Sequence, residues 1–165
     1  MTTRPTGARV RRTFFDVIAG VIPGCRFLDP FAGSGAIGLE ALSRGAARVV
    51  LLDRNPQAIE AIRHNVEAFG ADTGQVRVYR RDAAEGLRVL AQAGELFDVI
   101  YLDPPYDTQE YGPLLAASQE VLAEGGVVTV EHFHKRALPE TIETLTRTKQ
   151  SRVGDHRLSF FRRDE

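Results

Sequence analysis

Leu28-Asp29-Pro30-Phe31-Ala32-Gly33-Ser34-Gly35-Ala36-Ile37-Gly38 reads as the end of a strand that runs through glycines into a helix. Glycine lacks the Cβ that would block a sharp turn, so a ligand can approach the main chain closely there. The helix that follows opens with N–H groups that have no partner within it. Gly33, Gly35 and Gly38 also satisfy the dinucleotide spacing G-x-G-x-x-G. A strand-turn-helix start of this kind belongs to open parallel sheets, which take their ligands at the carboxyl ends of the strands.

Outward from that loop, short apolar runs alternate with segments of helical period. Residues 27–29, 49–53, 76–81, 99–103 and 127–131 read as strands. The clearest helix lies between the second and third strands: Asn55 caps it, Pro56 takes its first position, Ile59, Ile62, Val66 and Phe69 share one face, and Gly70 ends it. Further helices are expected over 36–44, 84–93 and 114–122, stopped by Gly45, Gly94 and the Gly125-Gly126 pair. Residues 146–163 alternate around Gly154-Asp155 and predict a closing antiparallel hairpin. The expected fold is α/β and Rossmann-like: a mostly parallel seven-stranded sheet with helices on both faces and a C-terminal hairpin. Residues 1–165 make one domain, in which 1–20 form a basic N-terminal arm and helix.

Composition is that of an ordinary globular chain, 43% hydrophobic and 26% charged. No apolar run approaches the roughly 20 residues of a membrane span, and no signal peptide opens the chain. A cytoplasmic protein without membrane attachment is expected. The lone Cys25 forms no internal disulfide, and no clustered Cys/His set predicts a metal site. Net charge is −1, so attraction to nucleic acid must come from local clusters. Arg4, Arg9, Arg11 and Arg12 precede the first acid, and Arg147, Lys149, Arg152, Arg157, Arg162 and Arg163 crowd the tail. Taken alone, such clusters read as solvated faces.

Asp53 ends the second strand, where a carboxylate can accept hydrogen bonds from a ribose diol. It serves an NAD-binding domain and an S-adenosylmethionine-binding domain equally well. Asp82 ends the third strand, where it can meet an adenine amine or simply cap the next helix. Asp103-Pro104-Pro105-Tyr106 breaks the tie. A base amine is a poor nucleophile because its lone pair is delocalised into the ring. The Asp103 carboxylate and the Pro104 carbonyl can accept the two amine protons and steady the charge that develops on nitrogen. The prolines hold these acceptors in place, and Tyr106 offers an aromatic face for the base. A dehydrogenase has no use for this tetrapeptide. Glu131-His132-Phe133-His134 follows the fifth strand; without a third ligand its histidines read as surface residues beside a sheet edge.

With these motifs the chain resembles the class I methyltransferases, and among them the bacterial 16S ribosomal RNA guanine-N2 methyltransferases of the RsmD type. The resemblance runs from Thr3-Arg4-Pro5-Thr6 and Arg9-Val10-Arg11 through 38–46 to Gly154-Asp155 and Leu158-Ser159-Phe160, nearly the whole chain. It implies S-adenosylmethionine as cofactor. Asp29, Phe31, Ala32, Gly33, Ser34 and Gly35 would hold its methionine part, Asp53 with Arg54 its ribose, and Asp82 with Ala83 its adenine edge. Asp103, Pro104, Pro105 and Tyr106 would act on the guanine, and Arg4, Arg9, Arg11 and Arg12 would contact RNA. The implied partner is 16S ribosomal RNA or the small ribosomal subunit, met by a monomer. Two departures stand out. Asp29-Pro30 replaces the family's Asp-Leu or Asp-aromatic pair, and Met1-Thr2-Thr3 stands where the family carries a short basic segment. Three alternatives remain: an adenine-N6 or other amino-methyltransferase on RNA or DNA, an NAD-dependent oxidoreductase, and a non-catalytic RNA-binding module.

Overall fold

A computed structural model describes residues 5–105 and 111–164. The chain forms α1 (Pro5–Val17), β1 (Arg26–Asp29), α2 (Ala36–Ser43), β2 (Arg48–Asp53), α3 (Pro56–Phe69), β3 (Val76–Arg80), α4 (Ala83–Gln92), β4 (Phe97–Leu102), α5 (Tyr111–Gln119), β5 (Leu122–Phe133), β6 (Thr141–Ile142), β7 (Leu145–Val153) and β8 (His156–Arg163). The strands lie in the order β3-β2-β1-β4-β5-β8-β7-β6. β1 to β5 pair in parallel, and β8 and β7 close the sheet antiparallel.

The Rossmann-like α/β sheet with its C-terminal hairpin is as the sequence predicts, with one strand beyond the expected seven. β6 is a two-residue strand paired to β7, too short to show alternation. α3 begins after the Asn55 cap, whose side chain accepts from the Gln57 N–H, and ends at Gly70 in the left-handed region. The largest difference is at α5, which ends at Gln119, so that Leu122 is strand and not helix. Leu122 pairs with Phe97 ahead of an irregularity in the β4–β5 register, and Gly125 takes a positive φ of 76° between that pair and the regular ladder. The two glycines therefore break a strand, where the sequence pattern suggests the end of a helix.

Strand parity sorts the core into two faces. Phe27, Val49, Leu51, Val99, Tyr101 and Val127 pack with α1, α2 and α3. Leu28, Val50, Leu52, Ile100, Leu102 and Val128 pack with α4 and α5. α1 seals its face with aromatics: Phe14 meets Phe15 at 4.9 Å, Phe27 at 6.3 Å and Tyr101 at 4.6 Å between ring centroids, all edge-on. Among the described residues no helix is long and apolar enough to cross a membrane.

Gly38, the third glycine of the fingerprint, serves packing. A Cβ there would stand 2.5 Å from Leu51 Cδ2 and 2.8 Å from Val49 Cγ1. Gly38→Ala should therefore lower stability by about 1 to 3 kcal/mol, as overpacking does. Urea unfolding with an unchanged midpoint would show that α2 can lift off β2 at no cost.

Candidate active site

The loop between β1 and α2 is tied down from three sides. The Ala32 N–H donates to the Leu52 carbonyl at 2.9 Å. The Gly33 N–H donates to Asp53 Oδ2 at 2.9 Å. Asn65 Nδ2, reaching from α3, donates to the Ser34 carbonyl at 2.9 Å. Gly33 and Gly35 take φ of 59° and 81°, a region that L side chains rarely adopt, so the turn depends on both. Gly35 then starts α2 without a side-chain cap.

Above this loop lies a cleft of about 540 Å³ at the carboxyl ends of the strands, a size typical of small-molecule sites. Phe31, Asp53, Arg54, Asp82, Ala83, Asp103 and Pro105 line it, so the sequence-predicted residues of four strand ends meet in one place. Pro113, Leu114 and Ala117 of α5 complete the wall, which no motif announced. Asp53 Oδ1 accepts from the Asn55 N–H at 2.9 Å, so each of its oxygens keeps acceptor capacity for a ribose. Asp82 caps α4, accepting from the Ala84 N–H at 3.2 Å, and also lines the cleft. Ala32, Gly33, Ser34, Gly35 and Pro104 do not form its wall. Tyr106 and Arg4 lie outside the described residues.

Asp29 is buried, 2% exposed, with Oδ1 accepting from the Phe31 N–H at 3.0 Å. Burial pushes its carboxyl up to about 7, and the charges of Asp53 and Glu131 add to the rise. Asp103 stands exposed at the cleft with its carboxyl crowded by protein. It is pushed up to about 8, first by desolvation, then by the charges of Glu131 and Asp29 and by a hydrogen bond with Glu131. Asp29, Asp53, Asp103 and Glu131 all have the parity of the face covered by α1 to α3. The β4–β5 register pairs Tyr101 with Thr129, and continuing it sets Asp103 opposite Glu131. The result is a cluster of carboxyl groups at the strand ends whose mutual repulsion helps to raise Asp29 and Asp103.

Glu131 is the participant that sequence reasoning misses. Its signal is nonetheless present, as an acid ending a strand at the same parity as Asp103. The histidines beside it differ from expectation. His132 is buried, not superficial: its Nε2 lies 2.8 Å from Ser159 Oγ and its Nδ1 2.9 Å from the Arg136 carbonyl, and burial lowers its pKa. It holds β5 to β8, because an inward position on a central strand must satisfy both ring nitrogens. On α1, Arg9 and Arg12 are exposed, whereas Arg11 Nε lies 3.0 Å from Glu40 Oε1 of α2.

Known proteins are similar to this chain in sequence and fold. The Bacillus subtilis protein YlbH is 38% identical over 93% of this chain and 84% of its own length. The ribosomal RNA small subunit methyltransferase D of Haemophilus influenzae is 31% identical over 94% of this chain and 81% of its own. A solved conserved hypothetical protein of Streptococcus pyogenes superposes with a TM-score of 0.84 at 29% identity, covering 94% of this chain and 95% of that one. The family described as Conserved hypothetical protein 95 matches residues 1–162, and the chain belongs to it.

Proposed function

We propose that this protein methylates the exocyclic N2 amine of a guanine in 16S ribosomal RNA, with S-adenosylmethionine as methyl donor. The observation that carries the reading is the cluster of strand-end carboxyl groups beside a cleft that Asp53, Asp82, Asp103 and Pro105 line. The donor supplies an electrophilic methyl group on positively charged sulfur. The protein's residues do the rest. Asp53 would hold the ribose, the tethered Gly33 main chain would meet the methionine part, and Phe31 and Leu114, which line the cleft, would take the adenine. Asp103 and the Pro104 carbonyl take the amine protons and orient the nitrogen lone pair.

The RNA would approach over α1 and the hairpin β7–β8. Arg9, Arg12, Lys149 and Arg152 are exposed there, and the H. influenzae relative is named for ribosomal RNA. Free 16S RNA or the small subunit in the cytoplasm would be the substrate, met by a monomer. Reversing Arg9 and Arg12 to glutamate should weaken RNA binding and reduce the slope of log affinity against log salt, by about 0.7 to 0.9 for each phosphate no longer neutralised. An unaltered salt slope would leave these arginines as plain surface charges. The function itself is tested by transfer of a tritiated methyl group to 16S RNA or small subunits, followed by nucleoside separation. The label is expected in N2-methylguanosine; label in N6-methyladenosine, or none, would refute the assignment.

A further inference from the structure

Behind Asp103, away from the cleft, the acid continues into a chain of groups that leads to the surface. Glu131, whose side chain is 12% exposed, hydrogen-bonds Asp103. Its Oε2 also accepts from the Tyr101 hydroxyl. Its Oε1 lies 3.4 Å from His156 Nδ1. That nitrogen is buried and has no hydrogen-bond partner among the described residues, while the His156 side chain as a whole is 39% exposed. Holding a largely buried glutamate beside two other acids is costly.

We infer that Asp103, Glu131 and His156 form the exit path for the proton that the target amine loses, with Glu131 as the relay between the site and solvent. The inference rests on the amine-methylation reading above. As the nitrogen lone pair forms the new N–C bond, the methyl–sulfur bond breaks and its electron pair stays on sulfur as a neutral thioether. The nitrogen then carries one proton too many, and that proton passes to Asp103. Glu131 takes it up in turn, and His156 passes it to water. The groups facing Glu131, among the described residues, are Asp29 from β1, Tyr101 and Asp103 from β4 and its end, and His156 from β8. Tyr101 donates to Glu131 and keeps its own proton, since burial and then the charges of Glu131 and Asp103 raise its pKa well above the usual phenol range.

The test is single-turnover methyl transfer to 16S RNA as a function of pH. For the unmodified enzyme the rate should rise with pH as Asp103, whose carboxyl is pushed up to about 8, loses its proton. Glu131→Gln removes a negative charge beside Asp103, so Asp103 ionises at lower pH. The acid limb should move down by about one unit, and the plateau should fall about 10-fold or more, less than the roughly 100- to 10,000-fold of a group that itself exchanges a proton with the substrate. Glu131→Asp keeps the charge and should keep the limb. His156→Gln should slow turnover about 5-fold and leave cofactor affinity unchanged, since its effect lies in proton removal. That variant carries the test if Glu131→Gln does not fold. A Glu131→Gln enzyme with the limb and plateau of the unmodified protein would overturn the inference, as would full-rate methylation by His156→Gln at every pH. An unmodified enzyme that labels no RNA would instead sink the function on which it rests.

Discussion

Asp103→Ala is expected to cut the single-turnover rate of methyl transfer by about 100-fold or more, the usual cost of removing one preorganised electrostatic partner. Asp103 stands at the cleft beside Pro105, with Pro104 buried next to it, so the acceptor is held in place ahead of the base. Without the carboxylate, only the Pro104 carbonyl would be left to orient the amine, and no charged group beside it would take up the charge on nitrogen. Affinity for S-adenosylmethionine should change little, because under the proposed reading ribose and adenine would be held by other strand ends. The measurement pairs a tritium-transfer time course with a calorimetric titration of the cofactor. Methylation by the variant at the unmodified rate would remove Asp103 from the reaction and leave the cluster of acids as a cofactor site alone.

Asp53→Ala should give the second largest effect, and on binding. Losing a charged acceptor to a hydroxyl costs roughly 1.5 to 3 kcal/mol, about 10- to 150-fold in affinity. The structure adds a reason beyond the ribose. Asp53 Oδ2 also receives the Gly33 N–H, and Oδ1 the Asn55 N–H. The variant thus loosens the glycine turn and the start of α3 together. Asp53→Asn keeps an oxygen acceptor for one of these and should fall between the two. Calorimetry that finds wild-type affinity in a folded Asp53→Ala protein would place the ribose elsewhere.

Much of this architecture is legible in the residues themselves. α3 is bounded by Asn55-Pro56 and Gly70, and each of these residues acts through local backbone chemistry that tertiary contacts do not reverse. The strand-end acids Asp53, Asp82 and Asp103 are legible for a related reason: in a parallel sheet with helical crossovers, every strand delivers its carboxyl end to the same edge. The turn at Gly33 and Gly35 follows from residue type alone.

Other features depend on neighbours that no local pattern reveals. Gly125-Gly126 ends a helix by its residue types but interrupts a strand in fact, because Leu122 already pairs with Phe97 on β4. Arg11 belongs to a basic cluster in the sequence, yet it is neutralised by Glu40 on another helix. His132 and Glu131 are adjacent in the chain and point to opposite faces of β5, one into a bond with Ser159, the other toward Asp103 and His156. By itself, the sequence determined the α/β fold, the edge of the sheet that carries the site and the acids delivered to it, because strand period and turn chemistry act within a few residues. Only the tertiary structure decided which acids share a face and which charges are already paired, because those depend on strand register and helix packing across tens of residues.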